Sequence, residues 1–371
     1  MSKRLHIVSF DVPYPPNYGG VIDIFYKIKE LYKLGIEIYL HIYISDDKEK
    51  QIALEKYCKK IYYYNRKSTF YSLLSYLPFR VKSRSNRELT QNLKNLEIPI
   101  LFEGLHSMYA LSKFNFKNSY LRAHNIEHTY FFGLSKSEKN ILKKIFFFIE
   151  GRKLKRFEKN LKNATGIFTI SPFEQDYFAR IYTEKSHYIP AFHEAKFNLN
   201  HSKKGQFVLF HGDLRVADNI KAALFLIDTY KNTEYKFVIA TSILEKRINS
   251  EVHKYDNISI EDIPTQNHLD ELMKKAHINT LFSFQKTGIK LKLLNTLYRG
   301  KFIIANSPLI EDTGLESLCN LANSKEEILK TTAALFSKDY LEIETQNRIS
   351  ALQKFNPTVS AKKIVAIIFK T

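Results

Sequence analysis

The sequence has no tryptophan and few glycines or cysteines, with 12 glycines and two cysteines in 371 residues. Cys58 and Cys319 lie far apart and lack the spacing of metal ligands, which indicates a chain with reduced, buried thiols. No stretch reaches the ~20 apolar residues of a membrane span. The first apolar run, in "MSKRLHIVSFDVPYPP", is short and is broken by Asp11 and three prolines. We therefore expect neither a signal peptide nor a transmembrane helix, and any membrane contact only at the surface.

Basic residues, in contrast, are abundant. The chain has 57 Lys and Arg against 38 Asp and Glu, a net charge of +19. This excess favours an acidic partner, namely nucleic acid, an anionic membrane or a phosphorylated ligand, without choosing among them. The length and the 44% share of hydrophobic residues suffice for about two domains, each with its own core.

Residues 1–192 show the pattern of an α/β domain. The strand "LHIVSF" leads through the glycine-containing "DVPYPPNYGG" into an amphipathic helix that ends at Gly35, and the strand "IEIYLHIYI" follows. This order predicts a parallel sheet with ligands at the carboxyl ends of its strands. Further strands of this Rossmann-like domain are predicted at 61–64, 98–104, 119–125, 166–171 and 186–192.

A second alternation of strands and helices occupies residues 207–350, after a polar linker at 193–206. It begins with the strand "FVLFHGD" and predicts a second doubly wound domain, with a ligand expected in a cleft between the two domains. The last segment, 351–371, contains the predicted helix "SAKKIVAIIFK". Packing of this helix back on the first domain is one option.

Two lysines, Lys290 and Lys292, follow Gly288 at the predicted start of a helix in "TGIKLKLLN". Cations are unfavourable there, because the unpaired N–H groups of the first turn carry partial positive charge. A bound diphosphate would resolve the conflict, since it would bind both the lysines and the N–H groups. The alternative is that both lysines are solvated surface residues.

Two glycine-containing turns stand before predicted helices. "PPNYGG" contains Gly19 and Gly20, and "HGDL" places Gly212 after the first strand of the second domain. Glycine permits close approach of the backbone to a phosphate or a sugar. An ordinary turn between strand and helix is the alternative.

Polar residues cluster in "LRAHNIEHTYF", just after a predicted strand of the first domain. At the carboxyl end of a strand such residues suit sugar hydroxyls or proton transfer. The cluster comprises Arg122, His124, Asn125, Glu127 and His128. Glu103 and His106, at the end of the preceding strand, are candidates for the same pocket.

Several motifs are absent from the sequence. It has neither a His-Glu-x-x-His helix nor an Asp-x-Asp motif, so no metal site is predicted. It has neither a P-loop nor a Gly-x-Gly-x-x-Gly fingerprint, which argues against kinases and dehydrogenases.

The segment 139–163 combines "IFFFI" with nine lysines and arginines. One interpretation is an amphipathic helix that lies on an anionic membrane. The other is an ordinary long helix with an aromatic core face and a solvated basic face.

In their order along nearly the full chain, the glycine turns, the polar cluster and the lysine motif resemble those of the GT-B glycosyltransferases. The specific resemblance is to family-4-like enzymes of bacterial polysaccharide and lipopolysaccharide synthesis. It implies two Rossmann-like doubly wound domains that face a central cleft. The N-terminal domain would bind the acceptor, and the C-terminal domain would bind a nucleotide diphosphate-sugar.

The resemblance also assigns roles to residues. His124, beside the reacting sugar, and Glu127 are the implied catalytic residues. The implied acceptor-binding residues are Gly19, Glu103, Arg122 and Asn125. The implied donor-binding residues are Gly20, Gly212, Asn219, Thr287, Gly288, Lys290, Lys292 and Asn295.

The sequence departs from the family pattern at two places. Many members carry two glutamates separated by seven residues, where this chain has Thr287 and Asn295. The usual Arg and Lys pair after the first strand of the second domain is not recognisable in "HGDLRVADN", although Arg215 is nearby. Lys290 and Lys292 are therefore expected to neutralise the diphosphate, and Asn295 retains hydrogen-bonding groups for a ribose.

The expected function is sugar transfer, of the hexosyltransferase class, to a glycan or lipid-linked acceptor in cell-surface polysaccharide synthesis. The resemblance implies a retaining, metal-independent enzyme with no cofactor besides its donor substrate. We expect a cytoplasmic protein. If it contacts a membrane, we expect peripheral binding at the inner face of the plasma membrane. A catalytically silent sugar-nucleotide or glycan-binding protein of the same fold is the alternative. A nucleic-acid partner is not expected, because only the net charge favours one.

Overall fold

The structure is a computed structural model that describes residues 2–44, 50–67, 70–138, 140–197, 204–285 and 291–370, without the side chains of 70 and 71. The described chain divides into two compact units. Among the described residues, unit 1 comprises those up to 194 together with 354–370, and unit 2 comprises 195–197, 204–285 and 291–353. Each unit is built on a parallel sheet, which confirms the predicted α/β class.

The sheet of unit 1 has seven strands in the order β3-β2-β1-β4-β5-β6-β7. The strands are β1 Arg4–Ser9, β2 Glu37–Ile44, β3 Lys60–Asn65, β4 Ile100–Glu103, β5 Ser119–Ala123, β6 Gly166–Thr169 and β7 Ser186–Tyr188. Ile7 of β1 lies opposite Leu40 on one side and Leu101 on the other. The strand order therefore reverses between β1 and β4, and such a switch point leaves a crevice at the carboxyl ends of the strands.

The helices of unit 1 cover both faces of this sheet. They are α1 Gly19–Lys33, α2 Phe70–Leu74, α3 Phe79–Lys82, α4 Arg87–Asn95, α5 Glu127–Ser137, α6 Ile141–Phe157 and α7 Pro172–Tyr182. On one face Ile24 and Ile28 of α1 are buried against the strands. On the other face the core includes Leu89, Phe131 and Leu154. Burial on both faces explains why the central strands are continuous apolar runs.

Unit 2 has a six-stranded parallel sheet in the order β10-β9-β8-β11-β12-β13. Its strands are β8 Phe207–His211, β9 Lys236–Thr241, β10 Ile258–Asp262, β11 Ile278–Leu281, β12 Phe302–Ala305 and β13 Asn320–Leu321. Its helices are α8 Ala217–Tyr230, α9 Lys246–Val252, α10 Gln266–Lys275, α11 Leu291–Arg299, α12 Ser307–Ile310, α13 Lys325–Phe336 and α14 Glu342–Leu352. The strand order reverses between β8 and β11, so the crevice of this unit lies there.

The last helix of the chain, α15 Pro357–Phe369, belongs to unit 1. Asn356 caps it by accepting a hydrogen bond from the Thr358 N–H, at 2.9 Å. The Thr358 hydroxyl in turn donates to Glu30 on α1, at 2.8 Å. Ile364 is fully buried in the same core as α1.

Some strands are shorter than the sequence pattern predicts. β5 ends at Ala123, before His124 and Asn125, and β7 ends at Tyr188, although the apolar pattern continues to 192. After β7 some backbone groups bond to side chains instead, as when the Phe192 N–H donates to Asp23 at 2.8 Å. Within the described ranges, no helix is long and apolar enough to cross a bilayer. Both cysteines are half-buried, and burial raises the pKa of each thiol to about 12.

Candidate functional site

Five charged or titratable side chains meet at the switch point of the unit 1 sheet. Each is at most 5% exposed. They are Asp23 and Lys27, one turn apart on α1, Glu103 at the end of β4, Arg122 on β5 and His124 just after β5. Because these groups are buried, their charges must be satisfied within the protein.

Asp23 and Arg122 form the centre of this network. Nη2 and Nε of Arg122 donate to the two carboxylate oxygens of Asp23 at 2.7 and 3.0 Å. The remaining N–H groups of Arg122 donate to the backbone carbonyls of Thr169, Ile189 and Pro190. All of its donors are therefore used inside the unit. The predicted contact of Arg122 with an acceptor stays a prediction, and in this structure the fully buried guanidinium bonds to groups of unit 1.

Glu103 holds His124 in place. The Lys27 ammonium donates to Asp23 at 2.8 Å and to Glu103 at 2.9 Å, and the Nε2 of His124 lies 3.0 Å from Oε2 of Glu103. Glu103 is fully buried. Its predicted contact with an acceptor stays a prediction, and in this structure its carboxylate positions His124. Nδ1 of His124 is buried and has no hydrogen-bond partner among the described residues.

Asp23, Glu103 and His124 also have the composition of a metal site, since their ligand atoms lie within 4.8 Å of one another. The ammonium of Lys27, however, lies within 2.9 Å of both carboxylates. A divalent cation there would stand beside this ammonium and the guanidinium of Arg122. These residues therefore do not fit a metal ion.

Glu127, the second predicted catalytic residue, is the first residue of α5 and is buried. Its Oε1 lies 3.7 Å from Nδ1 of His106. Burial alone would raise the pKa of Glu127, but His106 and Arg80 outweigh burial and lower it. Burial lowers the pKa of His106 to about 4. The Glu127 carboxylate is therefore ionised at neutral pH.

Phe10 joins the two halves of this region. Its ring packs edge-on against His106 and His124, with centroids 4.7 and 5.6 Å away. A Cβ on Gly20 would lie 2.6 Å from the Cζ of Phe10, so any other residue there would displace the Phe10 ring. Gly19 starts α1, and Asn125 is half-buried beside His124.

In unit 2 the structure brings together three predicted donor-binding residues. Gly212 follows β8, and a Cβ there would lie 3.1 Å from the side chain of Asn219. The Lys292 ammonium, in the first turn of α11, donates to Oδ1 of Asn219 at 3.4 Å and to the Phe282 carbonyl at 3.2 Å. The three residues therefore meet at the switch point between β8 and β11.

The remaining predicted donor residues are placed as follows. Asn295 is half-buried on α11, three residues after Lys292 and thus on the same side of the helix. Thr287, Gly288 and Lys290 lie outside the described residues. Arg215 is mostly exposed and pairs with Asp213 at 2.7 Å.

Two further residues fix the loop after β11, and the sequence patterns did not single them out. Asp218 accepts hydrogen bonds from the Ser283 hydroxyl at 2.8 Å and from the Phe284 N–H at 3.0 Å. Asn306, just after β12, donates to the Ser283 carbonyl at 2.7 Å and accepts from the Ser283 N–H at 3.1 Å. The sequence signal that could have identified them is their position, since Asp218 stands at the start of a helix and Asn306 just after a strand.

His211, at the end of β8, is held neutral. Burial, reinforced by the charge of Lys292, lowers its pKa to about 3. Its Nε2 lies 3.1 Å from the hydroxyl of Thr296 on α11. The positive charge at this point of unit 2 is therefore that of Lys292.

No protein family's sequence profile matches the chain. An uncharacterized 44.6 kDa protein in the cps region of Klebsiella pneumoniae is 27% identical over 390 residues, which span 99% of both chains.

Solved structures match over 99% of both chains. A variant of S. aureus TarM in complex with fondaparinux, alpha-GlcNAc-glycerol and UDP has a TM-score of 0.67 at 12% identity. HepE of Anabaena in complex with UDP and glucose has a TM-score of 0.65 at 13% identity. The lipopolysaccharide outer core galactosyltransferase WaaB has a TM-score of 0.63 at 12% identity. The chain therefore has the GT-B fold of these proteins, which confirms the predicted fold.

Proposed function

We propose that the chain is a glycosyltransferase that moves a sugar from a nucleotide diphosphate-sugar to a glycan or lipid-linked acceptor. The observation that carries this proposal is the meeting of Gly212, Asn219 and Lys292 at the switch point of unit 2, within a GT-B fold. The relative in a cps region of K. pneumoniae supports cell-surface polysaccharide synthesis as the process.

The donor would bind to unit 2. Lys292 offers a positive charge to the diphosphate, and the open turn at Gly212 lets the backbone approach it. As the bond between the anomeric carbon and the diphosphate oxygen breaks, negative charge grows on the leaving group, and a fixed ammonium stabilises it. Asn295, on the same side of α11, can bond a ribose hydroxyl. UDP in the TarM and HepE complexes supports a uridine nucleotide as the first donor to test.

The acceptor would bind to unit 1. Its hydroxyl oxygen bonds to the anomeric carbon and loses its proton. With Nε2–H donating to Glu103, Nδ1 of His124 carries a lone pair that can accept a hydrogen bond from a sugar hydroxyl. Glu127, ionised at neutral pH, is the second candidate to take the proton. We propose retention of configuration because the resemblance implies it. We propose metal independence because a lysine stands at the switch point of each sheet.

A membrane-surface acceptor is favoured by α6. Its exposed apolar residues are spaced on one side of the helix, with exposed fractions between 46% and 75%. They are Ile141, Leu142, Ile145, Phe148 and Ile149. Lys153 of α6 donates to the carbonyls of Leu73 and Ser75, and the neighbouring Leu74 and Tyr76 are exposed as well. We call these seven residues the α6 surface.

Basic residues flank the α6 surface. The exposed ones on the helix are Lys143, Lys144, Arg152, Lys155 and Arg156. Apolar residues beside lysines and arginines complement an anionic bilayer, since each basic residue near such a surface contributes ~1 kcal/mol. This arrangement supports the interfacial-helix interpretation of segment 139–163, with the bilayer as the partner of the α6 surface.

A silent binding protein of the same fold is the second candidate. The observation in its favour is the neutral Asn295, where many glycosyltransferases of this kind carry a carboxylate. Such a protein would bind a nucleotide-sugar without consuming it.

The proposal is tested with the full chain and a panel of nucleotide-sugars in a thermal-shift assay, followed by measurement of donor hydrolysis. A glycosyltransferase should be stabilised by one donor and should slowly hydrolyse it. Stabilisation without hydrolysis or transfer would favour the silent binder. No shift with any donor, together with a salt-sensitive shift with oligonucleotides, would overturn both.

His124→Ala separates catalysis from structure. Because His124 lies in unit 1, its loss should reduce transfer more than donor binding. Equal loss of both activities would show that the ring only supports the fold. His187→Ala is the control, since His187 lies on β7 of the same sheet and outside the network.

A further inference from the structure

Unit 1 has a pocket at the amino ends of β4 and β5, on the edge of the sheet opposite to its switch-point crevice. Its volume is about 450 Å³. Ile98 and Ile100 line it at the start of β4, and Asn118 lines it directly before β5. Glu103 and His124, in contrast, lie at the carboxyl ends of the same two strands. The pocket is therefore separate from the network around His124, and its volume is typical of a site for a small molecule.

Hydrogen bonds to the sheet fix the backbone on both sides of this pocket. On one side, the Leu96 carbonyl accepts from Nε2 of the buried His6 at 3.1 Å, and the Pro99 carbonyl accepts from the His6 N–H at 2.9 Å. On the other side, the Lys117 carbonyl accepts from the hydroxyl of Thr165, the residue before β6, at 3.0 Å. A ligand would therefore bind without the cost of first ordering these segments.

The floor of the pocket is apolar. Leu93, on α4, and Ile100 are 1% and 2% exposed. The same lining includes Phe116 and Phe114, and Phe114 is 39% exposed. The ammonium of Lys94 lies 3.5 Å from the centre of the Phe114 ring, and this cation–π contact orients the ring. A ligand with an apolar face would cover aromatic surface that is now in contact with water.

The rim of the pocket is polar and carries a net positive charge. It has two lysines against one glutamate, together with two amide side chains, and all five are exposed. They are Lys94, Lys117, Glu97, Asn115 and Asn118. Amides donate and accept hydrogen bonds, and ammonium groups bind carboxylates. The pocket thus combines an aromatic ring, amides and excess positive charge.

We infer that this pocket binds an acidic sugar unit of the glycan acceptor, away from the reacting end, an inference that rests on the proposed function. A pyranose ring has an apolar C–H face that can pack on Phe114, and its hydroxyls can bond to Asn115 and Asn118. The carboxylate of a uronic acid would pair with an ammonium of the rim. A second contact with the same glycan would raise the effective concentration of its reacting end at unit 1.

The inference is tested by calorimetric titration of the full chain, without a donor, with two tetrasaccharides. One alternates glucuronate with N-acetylglucosamine, and the other contains N-acetylglucosamine alone. The acidic tetrasaccharide should bind more tightly than the neutral one. Lys94→Ala should weaken its binding about tenfold, because the change removes a charge-assisted contact. Phe114→Ala should weaken its binding several-fold, because the change removes apolar contact area.

Each variant has a matched control. Arg87→Ala removes an exposed positive charge from the other end of α4. Tyr32→Ala removes an aromatic ring that is 47% exposed near the end of α1, outside the pocket. Both controls should bind the acidic tetrasaccharide as tightly as the unmodified chain does.

Three results would overturn the inference. The first is no binding of the acidic tetrasaccharide to the unmodified chain. The second is an affinity in Lys94→Ala and Phe114→Ala that equals the affinity of their controls. The third is equal or tighter binding of the neutral tetrasaccharide, which would show that the rim does not select an acidic sugar.

The proposed function is judged by separate measurements, namely the thermal shift with nucleotide-sugars and the hydrolysis of the donor. Lys94→Ala and Phe114→Ala should leave both unchanged, since the pocket lies away from the donor site of unit 2. A chain that binds the acidic tetrasaccharide through the pocket, yet neither binds nor hydrolyses any donor, would contradict the proposed function alone. Donor hydrolysis without binding of the acidic tetrasaccharide would contradict the pocket alone.

Discussion

The switch points of the two sheets differ in whether their charged side chains are paired with one another. In unit 1, Asp23, Lys27, Glu103 and Arg122 are fully buried and bond one another at 2.7–3.0 Å. In unit 2, the half-buried Lys292 donates to neutral oxygens of Asn219 and Phe282. The first site is a network of buried ion pairs, whereas the second has a half-buried cation with neutral oxygens among its partners. Stability and ligand binding should therefore respond differently to mutation in the two units.

The largest expected effect is on stability, from Asp23→Ala. The change leaves Arg122 and Lys27 buried without their shared carboxylate, and breaking a buried pair in this way costs ~3–5 kcal/mol of unfolding free energy. Urea unfolding followed by circular dichroism measures it. Asp228→Ala is the control, because Asp228 forms exposed ion pairs with Lys231 and Lys325 that contribute at most ~1 kcal/mol. Similar losses for both variants would mean that the network of unit 1 is not structural.

Lys292→Ala should act on binding instead. A hydrogen bond to a charged group contributes ~1.5–3 kcal/mol, so UDP affinity should fall about 10- to 100-fold, with the unfolding midpoint nearly unchanged. Titration calorimetry with UDP measures the loss. Lys231→Ala, at the opposite end of α8 from Asn219, removes the same charge from an exposed ion pair and should not alter affinity. If the UDP affinity of Lys292→Ala were unchanged, Lys292 would be a solvated surface residue. The two units would then not differ in how their switch points use charge.

The pH dependence of stability tests the comparison at His211, which burial and the charge of Lys292 keep neutral. Its pKa is about 3 in the folded chain and about 6.5 when unfolded, so the unfolded state binds more protons between these values. Stability should therefore fall as the pH drops below about 6.5, by up to ~1.4 kcal/mol per pH unit for this group. Urea unfolding of His211→Gln between pH 6 and pH 4 should show a shallower slope than the unmodified chain. His268→Gln, at an exposed histidine, should keep the original slope.

The fold was predictable because its signals are local. Apolar runs such as "LHIVSF" and "FVLFH", each followed by a turn and an amphipathic helix, determine parallel sheets with little help from distant contacts. Strand ends were less predictable. Residues 189–192 have the apolar pattern of a strand, but the carbonyls of Ile189 and Pro190 accept from Arg122, and the Phe192 N–H donates to Asp23. Both partners are distant in sequence.

The candidate site was predictable only where a motif marks it. Lys292 and His124 were found from helix and strand patterns, and Asn219 was found from the resemblance. The structure places Lys292 and Asn219 in the first turns of α11 and α8, and His124 just after β5. Arg122 and Glu103 were assigned to an acceptor because a polar residue in a strand suggested function, whereas Asp23 and Lys27 on α1 satisfy them. Lys27 was missed because a lysine in an amphipathic helix usually points to solvent.

The smallest expected effect concerns the outer surfaces of the two units. Ile145→Glu on the α6 surface should reduce binding to phosphatidylglycerol-containing vesicles by about fivefold or more, because it replaces an apolar contact with a like charge. Ile343→Glu, on α14 of unit 2, is the matched control, since Ile343 is 60% exposed and Ile145 is 49% exposed. Vesicle flotation at low and high salt measures both variants. Equal binding by the two would mean that basic charge alone attracts the chain to the bilayer, whereas loss in Ile145→Glu alone would assign membrane contact to unit 1, the unit proposed to hold the acceptor.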